Sequence, residues 1–207
     1  MTQGPMPPDN YSKIKLSTIK INKGDVLYHC FSSFRDLDKA IFFAIDDPKK
    51  NIYSGRFGDN DSLEGVCYFG SSMDAALVET LLQKNRIQYG VAERDLELSC
   101  MMSASANRDL NLINLSGVGL HKNLVTAEIT SCPHKTSRLY STKILRNKYL
   151  YDGIYWKSRL NNDHYCIALF ERVGLELVNL TNFGELNCEN LKQWTAKTLM
   201  AHGVFIY

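Results

Sequence analysis

The chain has 207 residues, 44% of them hydrophobic and 22% charged, with 24 Lys plus Arg against 22 Asp plus Glu and a formal net charge of +2. That length suits one large domain able to bury its own core without staples. So even a charge balance gives no basis for nucleic acid or a membrane as partner, while a local basic pocket for a phosphorylated small molecule stays compatible with it.

In chain order, residues 1–12 read as a loose polar arm, with three prolines and none of the charged-then-apolar layout of a secretory leader. Residues 13–207 show no internal repeat and no low-complexity linker, so they read as a single domain. Residues 25–30 form a first short strand, with Val26, Leu27 and Tyr28 ahead of His29. A loop-forming stretch, residues 31–60, follows; it carries an aromatic patch at Phe42 and Phe43, expected in the core, and then glycines and Asp/Asn pairs. Residues 65–69 form a strand that runs into Gly70, Ser71 and Ser72, where a serine can cap a helix over residues 73–84. Further strands are predicted at residues 89–98, 110–115, 153–156, 165–170 and 175–180. Helices are predicted at residues 135–147 and 191–201, the second stopped by Gly203. Strands outnumber helices without regular alternation, so the expected class is α+β rather than a doubly wound parallel sheet.

The six cysteines, Cys30, Cys67, Cys100, Cys132, Cys166 and Cys188, make no Cys-x-x-Cys pair and no compact Cys/His cluster, so no metal is expected. Several lie in apolar runs and read as buried thiols acting as small hydrophobes. A reducing compartment, the cytoplasm, is the expected location. No run approaches the ~20 apolar residues of a membrane span.

The most informative segment is residues 54–82. An arginine, Arg56, sits in a glycine-flanked loop; a strand then ends at Tyr68, and the next helix bears one glutamate, Glu79. At about 100° per residue, Ala75, Val78, Leu81 and Leu82 share one side of that helix. Glu79 falls beside Ala75 and Leu82, at the border of the apolar arc. A carboxylate there is either half-solvated or turned into a cleft. Singly, Arg56 also reads as a loop cation and Tyr68 as a strand-end core residue.

Together with later segments these residues resemble the RES-domain family. The residues that carry the likeness are the Arg56 loop, Tyr68, Glu79, the stretch Leu112-Ile113-Asn114-Leu115-Ser116-Gly117-Val118-Gly119-Leu120, the stretch Tyr151-Asp152-Gly153-Ile154-Tyr155-Trp156-Lys157-Ser158-Arg159, and the strand ending Ala168-Leu169-Phe170. They occur in the family's order over residues 26–172. The resemblance implies an α+β fold related to ADP-ribosyltransferases, with a mixed or antiparallel β core and flanking helices. It also implies an enzyme that consumes NAD⁺. Arg56, Tyr68 and Glu79 take the catalytic places and Ser158 that of a substrate contact; Arg159 beside it either adds charge as a further substrate contact or is a surface arginine at a strand end. Many members read Leu-Tyr-Arg on the first strand where this chain has Leu27-Tyr28-His29. His29 is then either a substitute nucleotide ligand or a satisfied core histidine.

The resemblance further implies the toxin of a toxin–antitoxin pair that breaks the nicotinamide–ribose bond of NAD⁺, with phosphate or water as acceptor. NAD⁺ is substrate, inorganic phosphate is a candidate co-substrate, and no resident cofactor is implied. An antitoxin protein is the implied partner, covering the cleft. Two rival readings stand beside it: a mono-ADP-ribosyltransferase that modifies a macromolecule, and a non-catalytic binding module on the same fold. The oligomeric state is not legible in the sequence.

Overall fold

The computed structural model describes residues 6–33, 41, 43–45, 55–82 and 90–207. They form a single α+β domain built on a mixed eight-stranded sheet. The strands are β1 (Thr18–Ile21), β2 (Val26–Ser32), β3 (Val66–Gly70), β5 (Ser99–Ala106), β6 (Leu110–Leu115), β7 (Gly153–Lys157), β8 (Tyr165–Phe170) and β9 (Leu177–Glu185), in the spatial order β1-β6-β7-β8-β3-β2-β5-β9. All neighbours are antiparallel except β6 and β7. A small parallel pair, β4 (Gly90–Val91) with β10 (Phe205–Ile206), lies apart from it. The helices are α1 (Met73–Leu81), α2 (Glu93–Glu97), α3 (Val118–Lys122), α4 (His134–Leu145) and α5 (Glu189–Ala201).

Period-two alternation divides the central strands between two cores. Val66 and Tyr68 of β3, Cys166, Ala168 and Phe170 of β8, and Ile154 and Trp156 of β7 join one cluster with Tyr140 and Ile144 of α4. Cys67, Phe69, Ile167 and Leu169 join the opposite cluster with Leu27, Leu110 and Leu112. A third cluster gathers Ala76, Leu77 and Val78 of α1 against Cys30, Leu191 and Leu199.

Sheet centre packing is tight enough to require glycine at Gly153, where an added Cβ would lie 2.2 Å from the Ala168 carbonyl oxygen of the adjacent strand. Asp152 before it is buried, takes two hydrogen bonds from the Arg108 guanidinium at 3.1 and 2.7 Å and a third from the Asn111 amide at 2.7 Å. The Asp-Gly step therefore fixes β7 between β6 and β8.

The predicted strand over residues 89–98 does not form as one element. Only Gly90–Val91 pair, and the charged run Glu93–Glu97 closes a helical turn. The eight-residue strand β5 was not predicted; its Ser, Ala and Met content carries little strand preference, and pairing with β2 on one side and β9 on the other imposes the extended form. The last predicted strand begins two residues later than expected and runs to Glu185, after a 3₁₀ turn over Glu171–Glu176. Helix α1 is capped by Ser72, whose Oγ accepts from the Ala75 amide at 3.1 Å. It ends at Leu81; residues 83–84 of the predicted helix, Tyr89, Ser54 and Phe42 lie outside the described residues. Phe43 is partly buried against the second core. Of the predicted arm, residues 1–5 also lie outside the described residues, while Tyr11 is fully buried, edge-on to Tyr140, and donates its hydroxyl to the Asn123 carbonyl at 2.8 Å.

Gly153→Ala must part β7 from β8 or distort both. The expected loss is about 3 kcal/mol, a fall in melting temperature of roughly 6–12 °C for a domain of this size. Thermal unfolding followed by circular dichroism measures it; an unchanged melting temperature would refute the packing argument.

Candidate functional site

Strands β2 and β3 are neighbours in the sheet, yet they pair at a single position, Tyr28 with Gly70. By contrast β2 pairs with β5 along its whole length, from Val26 to Ser32. Beyond the Tyr28–Gly70 pair the two strands part. A cavity of about 680 Å³ occupies the gap, lined by residues 29–32 of β2, residues 66–70 of β3 and one side of α1. That volume lies within the usual range for small-ligand sites.

His29 bridges the parting strands. Its Nδ1 lies 2.6 Å from the Tyr68 carbonyl oxygen, and since a carbonyl can only accept, Nδ1 carries the proton. The imidazole stacks on Phe31 at 5.9 Å between centroids and tilts against Phe69 at 5.4 Å. It also lines the cavity, so it is both a packed strand residue and a wall of the pocket.

Gly70, at the end of β3, brings α1 close: a Cβ there would lie 2.5 Å from the Ala76 amide nitrogen. One turn further along, Glu79 is half-buried and faces the cavity. The Ser158 hydroxyl donates to Glu79 Oε1 at 2.5 Å. Ser158 follows β7 in the turn leading to β8, is 2% exposed, and its Oγ accepts from the Leu160 amide at 3.0 Å and the Asn161 amide at 3.2 Å. With both lone pairs engaged by backbone donors, the hydroxyl hydrogen can only point at Glu79. The carboxylate is therefore aimed by a serine that is itself aimed by the turn.

Arg56 enters from the loop before β3 and is 8% exposed. Its Nη1 donates to the Cys132 carbonyl at 2.6 Å and to the Ile129 carbonyl at 3.4 Å. The loop is stitched to α4 by hydroxyls spaced one turn apart. Ser137 donates to the Arg56 carbonyl at 2.9 Å, Ser141 to the Phe57 carbonyl at 2.5 Å, and Arg138 Nε to the Gly55 carbonyl at 2.8 Å. The Tyr68 hydroxyl accepts from the Phe57 amide at 2.8 Å. Gly55 has φ +73° and leaves no space for a Cβ beside that hydroxyl, at 2.8 Å, so glycine is needed there on both counts.

Asp59 anchors the far end of this loop. It is 1% exposed and takes hydrogen bonds from both terminal nitrogens of Arg146, at 3.1 and 3.0 Å, from Thr142 Oγ1 at 2.9 Å, and from the Leu63 and Asp61 amides. Burial by itself would raise its pKa, but the Arg146 guanidinium and the other donors outweigh burial and hold the carboxyl below its usual 3.8.

The structure thus brings Arg56, Tyr68, Glu79, His29 and Arg159 to the wall of one cavity, with Ser158 immediately behind Glu79. Residues not singled out from the sequence share that wall: Cys166, Trp156, His134, Thr130 and Asp95. The Trp156 ring stands edge-on to Tyr68 at 6.2 Å. The Ser137/Ser141 pair had a sequence signal, two hydroxyls four residues apart on a helix face; Cys166 had none, because only the β3–β8 register carries it to the site. Among the described residues no group of His, Cys, Asp and Glu has the arrangement of a metal site, and no helix is long and apolar enough to cross a membrane.

Two strands parted beside a helix-borne glutamate, with a loop arginine on the same cavity wall, define the class of site. The RES domain family model matches residues 27–184, well over half of the chain, and the chain belongs to the RES-domain family. Among solved structures, the crystal structure of the M. tuberculosis MbcT-MbcA toxin–antitoxin complex contains a chain of similar fold, at TM-score 0.55 and 14% identity, the match covering 84% of this chain and 92% of that one. At that identity the likeness speaks for the fold. A search of curated proteins gives no match.

Asp59→Asn removes the charge that holds the loop to α4. Because Arg146 is 38% exposed, the cost falls between that of a surface and a buried pair, about 2 kcal/mol, or roughly 4–8 °C in melting temperature. The folded pKa of Asp59 lies below the unfolded one, so its contribution is present above the unfolded value and is lost as pH falls through the folded one. The gap between wild type and variant should therefore be full at neutral pH and close below about 3.8. Melting curves across that range test it; a gap that stays constant with pH would contradict it.

Proposed function

We propose that the chain cleaves the bond between nicotinamide and ribose in NAD⁺, with phosphate or water as acceptor, and acts as the toxin of a toxin–antitoxin pair. The observation that carries this reading is the Glu79 carboxylate, aimed by Ser158 into a cavity it shares with Arg56, Tyr68, His29 and Arg159.

The reaction asks little of the protein and asks it at one place. Nicotinamide leaves as a neutral molecule, so no general acid is needed, and positive charge gathers on the ribose as in glycoside cleavage. A fixed carboxylate beside that carbon is the appropriate group. In a site shielded from water one such interaction is worth about 3–4 kcal/mol, on the order of hundreds-fold in rate. Glu79 supplies it and can also hold a ribose hydroxyl. Ser158, with its hydrogen committed to Glu79, orients the carboxylate rather than gripping NAD⁺ directly.

Arg56 offers a planar donor set for the pyrophosphate or an incoming phosphate. Its carbonyl contacts at Ile129 and Cys132 fix the guanidinium plane before ligand arrives. Arg159 adds positive charge at the same wall. The Tyr68 ring, with its hydroxyl held by the Phe57 amide, presents a face suited to flat nicotinamide. His29, protonated on Nδ1, lines the same cavity and stands beside the place for the nucleotide. An antitoxin that enters or covers the opening between β2 and β3 would stop the reaction by occupying it.

Transfer of ADP-ribose to a protein or another macromolecule is the second reading, favoured by His29 standing where many relatives carry arginine. Incubation with NAD⁺, with and without phosphate, separates the two. Free ADP-ribose or its 1″-phosphate supports the first, and labelled macromolecule the second.

Glu79→Gln keeps size and hydrogen-bonding capacity but removes the charge. NAD⁺ loss should fall at least about a hundredfold with the melting temperature nearly unchanged; nicotinamide release measured by chromatography checks it. A folded glutamine variant that still releases nicotinamide at the wild-type rate would end this reading.

A further inference from the structure

Helix α5 lies C-terminal to the matched residues 27–184, yet two of its polar side chains reach the elements that carry Glu79 and Ser158. Leu191 and Leu199 of α5 join the third core with α1. Beside that core Thr198, buried, donates its hydroxyl to Asp74 Oδ1 of α1 at 2.6 Å. Glu79 lies further along the same nine-residue helix.

His202, the C-cap residue of α5, stands one helical turn beyond Thr198 and so on the same face. Its Nδ1 lies 2.8 Å from the Thr198 carbonyl oxygen and its Nε2 3.2 Å from Asn161 Nδ2. The hydrogens along this chain have one consistent arrangement. Asn161 Oδ1 accepts from the Asp163 amide at 2.9 Å, which turns the side-chain nitrogen, a pure donor, toward the ring. Nε2 must then accept, and Nδ1 carries the hydrogen that the Thr198 carbonyl takes.

Asn161 and His164 also hold Ser158. The Asn161 amide donates to Ser158 Oγ at 3.2 Å, and the His164 carbonyl accepts from the Ser158 amide at 3.0 Å. The His164 ring in turn stacks on His202, with 6.2 Å between centroids. One imidazole therefore touches both of these residues.

We propose that α5 is a positioning strut for the site. It holds α1 through Thr198–Asp74 and the Ser158 turn through His202–Asn161, and so sets the separation across which Ser158 meets Glu79. A hydrogen bond weakens steeply as its geometry is lost, so slack between α1 and the turn would free the carboxylate without unfolding the domain. Neither Thr198 nor His202 lines the cavity; their effect on turnover runs through Ser158 and Glu79. That effect rests on Glu79 being the reacting group, whereas the mechanical tie does not.

Two pairs of variants test it. His202→Phe keeps a ring against His164 but has no acceptor, while the side-chain oxygen of His202→Gln can stand where Nε2 does. Thr198→Val keeps the shape without the hydroxyl, and Thr198→Ser keeps the hydroxyl. Amide hydrogen exchange is followed by NMR beside kcat and KM for NAD⁺. His202→Phe should speed exchange about fivefold at the Leu160 and Asn161 amides, the donors to Ser158 Oγ. Thr198→Val should do the same, about fivefold, at the Ala75 and Ala76 amides, which close the first turn of α1 on Ser72. Each should lower kcat about fivefold with KM little changed, and the glutamine and serine variants should return toward wild type. Wild-type kcat in His202→Phe and Thr198→Val, unchanged exchange at these amides, or conservative variants no better than their partners would overturn the proposal. Should His202→Phe not fold, Thr198→Val and Thr198→Ser decide it from the other tie. Faster exchange in the variants of a protein that leaves NAD⁺ intact would uphold the strut and refute only the NAD⁺ reading.

Discussion

One hydrogen bond organises the site: Ser158 Oγ to Glu79 Oε1. It joins a helix to a turn 79 residues away in sequence, and without it the carboxylate would not hold its direction. A glutamate on a helix has three rotatable bonds and, half-exposed, samples many rotamers. Locking it requires a donor that is itself immobile. The turn after β7 provides one by spending two backbone amides on the serine oxygen. The carboxylate is thereby oriented before any ligand arrives, which is the condition under which fixed charge lowers a barrier.

The space for that charge to act comes from the sheet. Neighbouring strands normally continue their ladder until one ends, but β2 and β3 share a single pair and then separate. The gap is tolerated because both strands are held from the outside, β2 along its length by β5 and β3 by all five of its residues on β8. His29 spans the opening with a side-chain bond to the Tyr68 carbonyl. The Arg56 loop, sewn to α4 by Ser137, Ser141 and the Asp59–Arg146 pair, closes another side. Among the described residues, the opening between β2 and β3 is walled by these polar groups.

Much of this was legible in the sequence, for identifiable reasons. Strands β6 and β8 are short apolar runs with clear ends, and both match their predicted limits; Ser72 marks the start of α1 as a capping residue should. Glu79 stood out because a carboxylate bordering an apolar arc has few places to go. The motif residues proved to be of two kinds. Gly153, Asp152 and Gly70 secure close strand and helix packing, whereas Arg56, Tyr68 and Glu79 face the cavity. Sequence pattern alone does not separate these roles. β5 was illegible because its extended form is imposed by two neighbours rather than by its own residues, and the run Glu93–Glu97 was misread because charged helix formers followed an apolar start. The place of Cys166 on the cavity wall depends on strand register, which no local pattern encodes.

On the proposed function, Glu79 faces the ribose carbon from which nicotinamide departs. A crystal structure of the Glu79→Gln protein with NAD⁺ bound tests this most directly, since the substitution should slow turnover enough to trap the dinucleotide. The expected structure has the nicotinamide ribose against residue 79, the ring on Tyr68 and the pyrophosphate toward Arg56. NAD⁺ seated in the cavity with its nicotinamide ribose remote from residue 79, or bound elsewhere on the molecule, would contradict it.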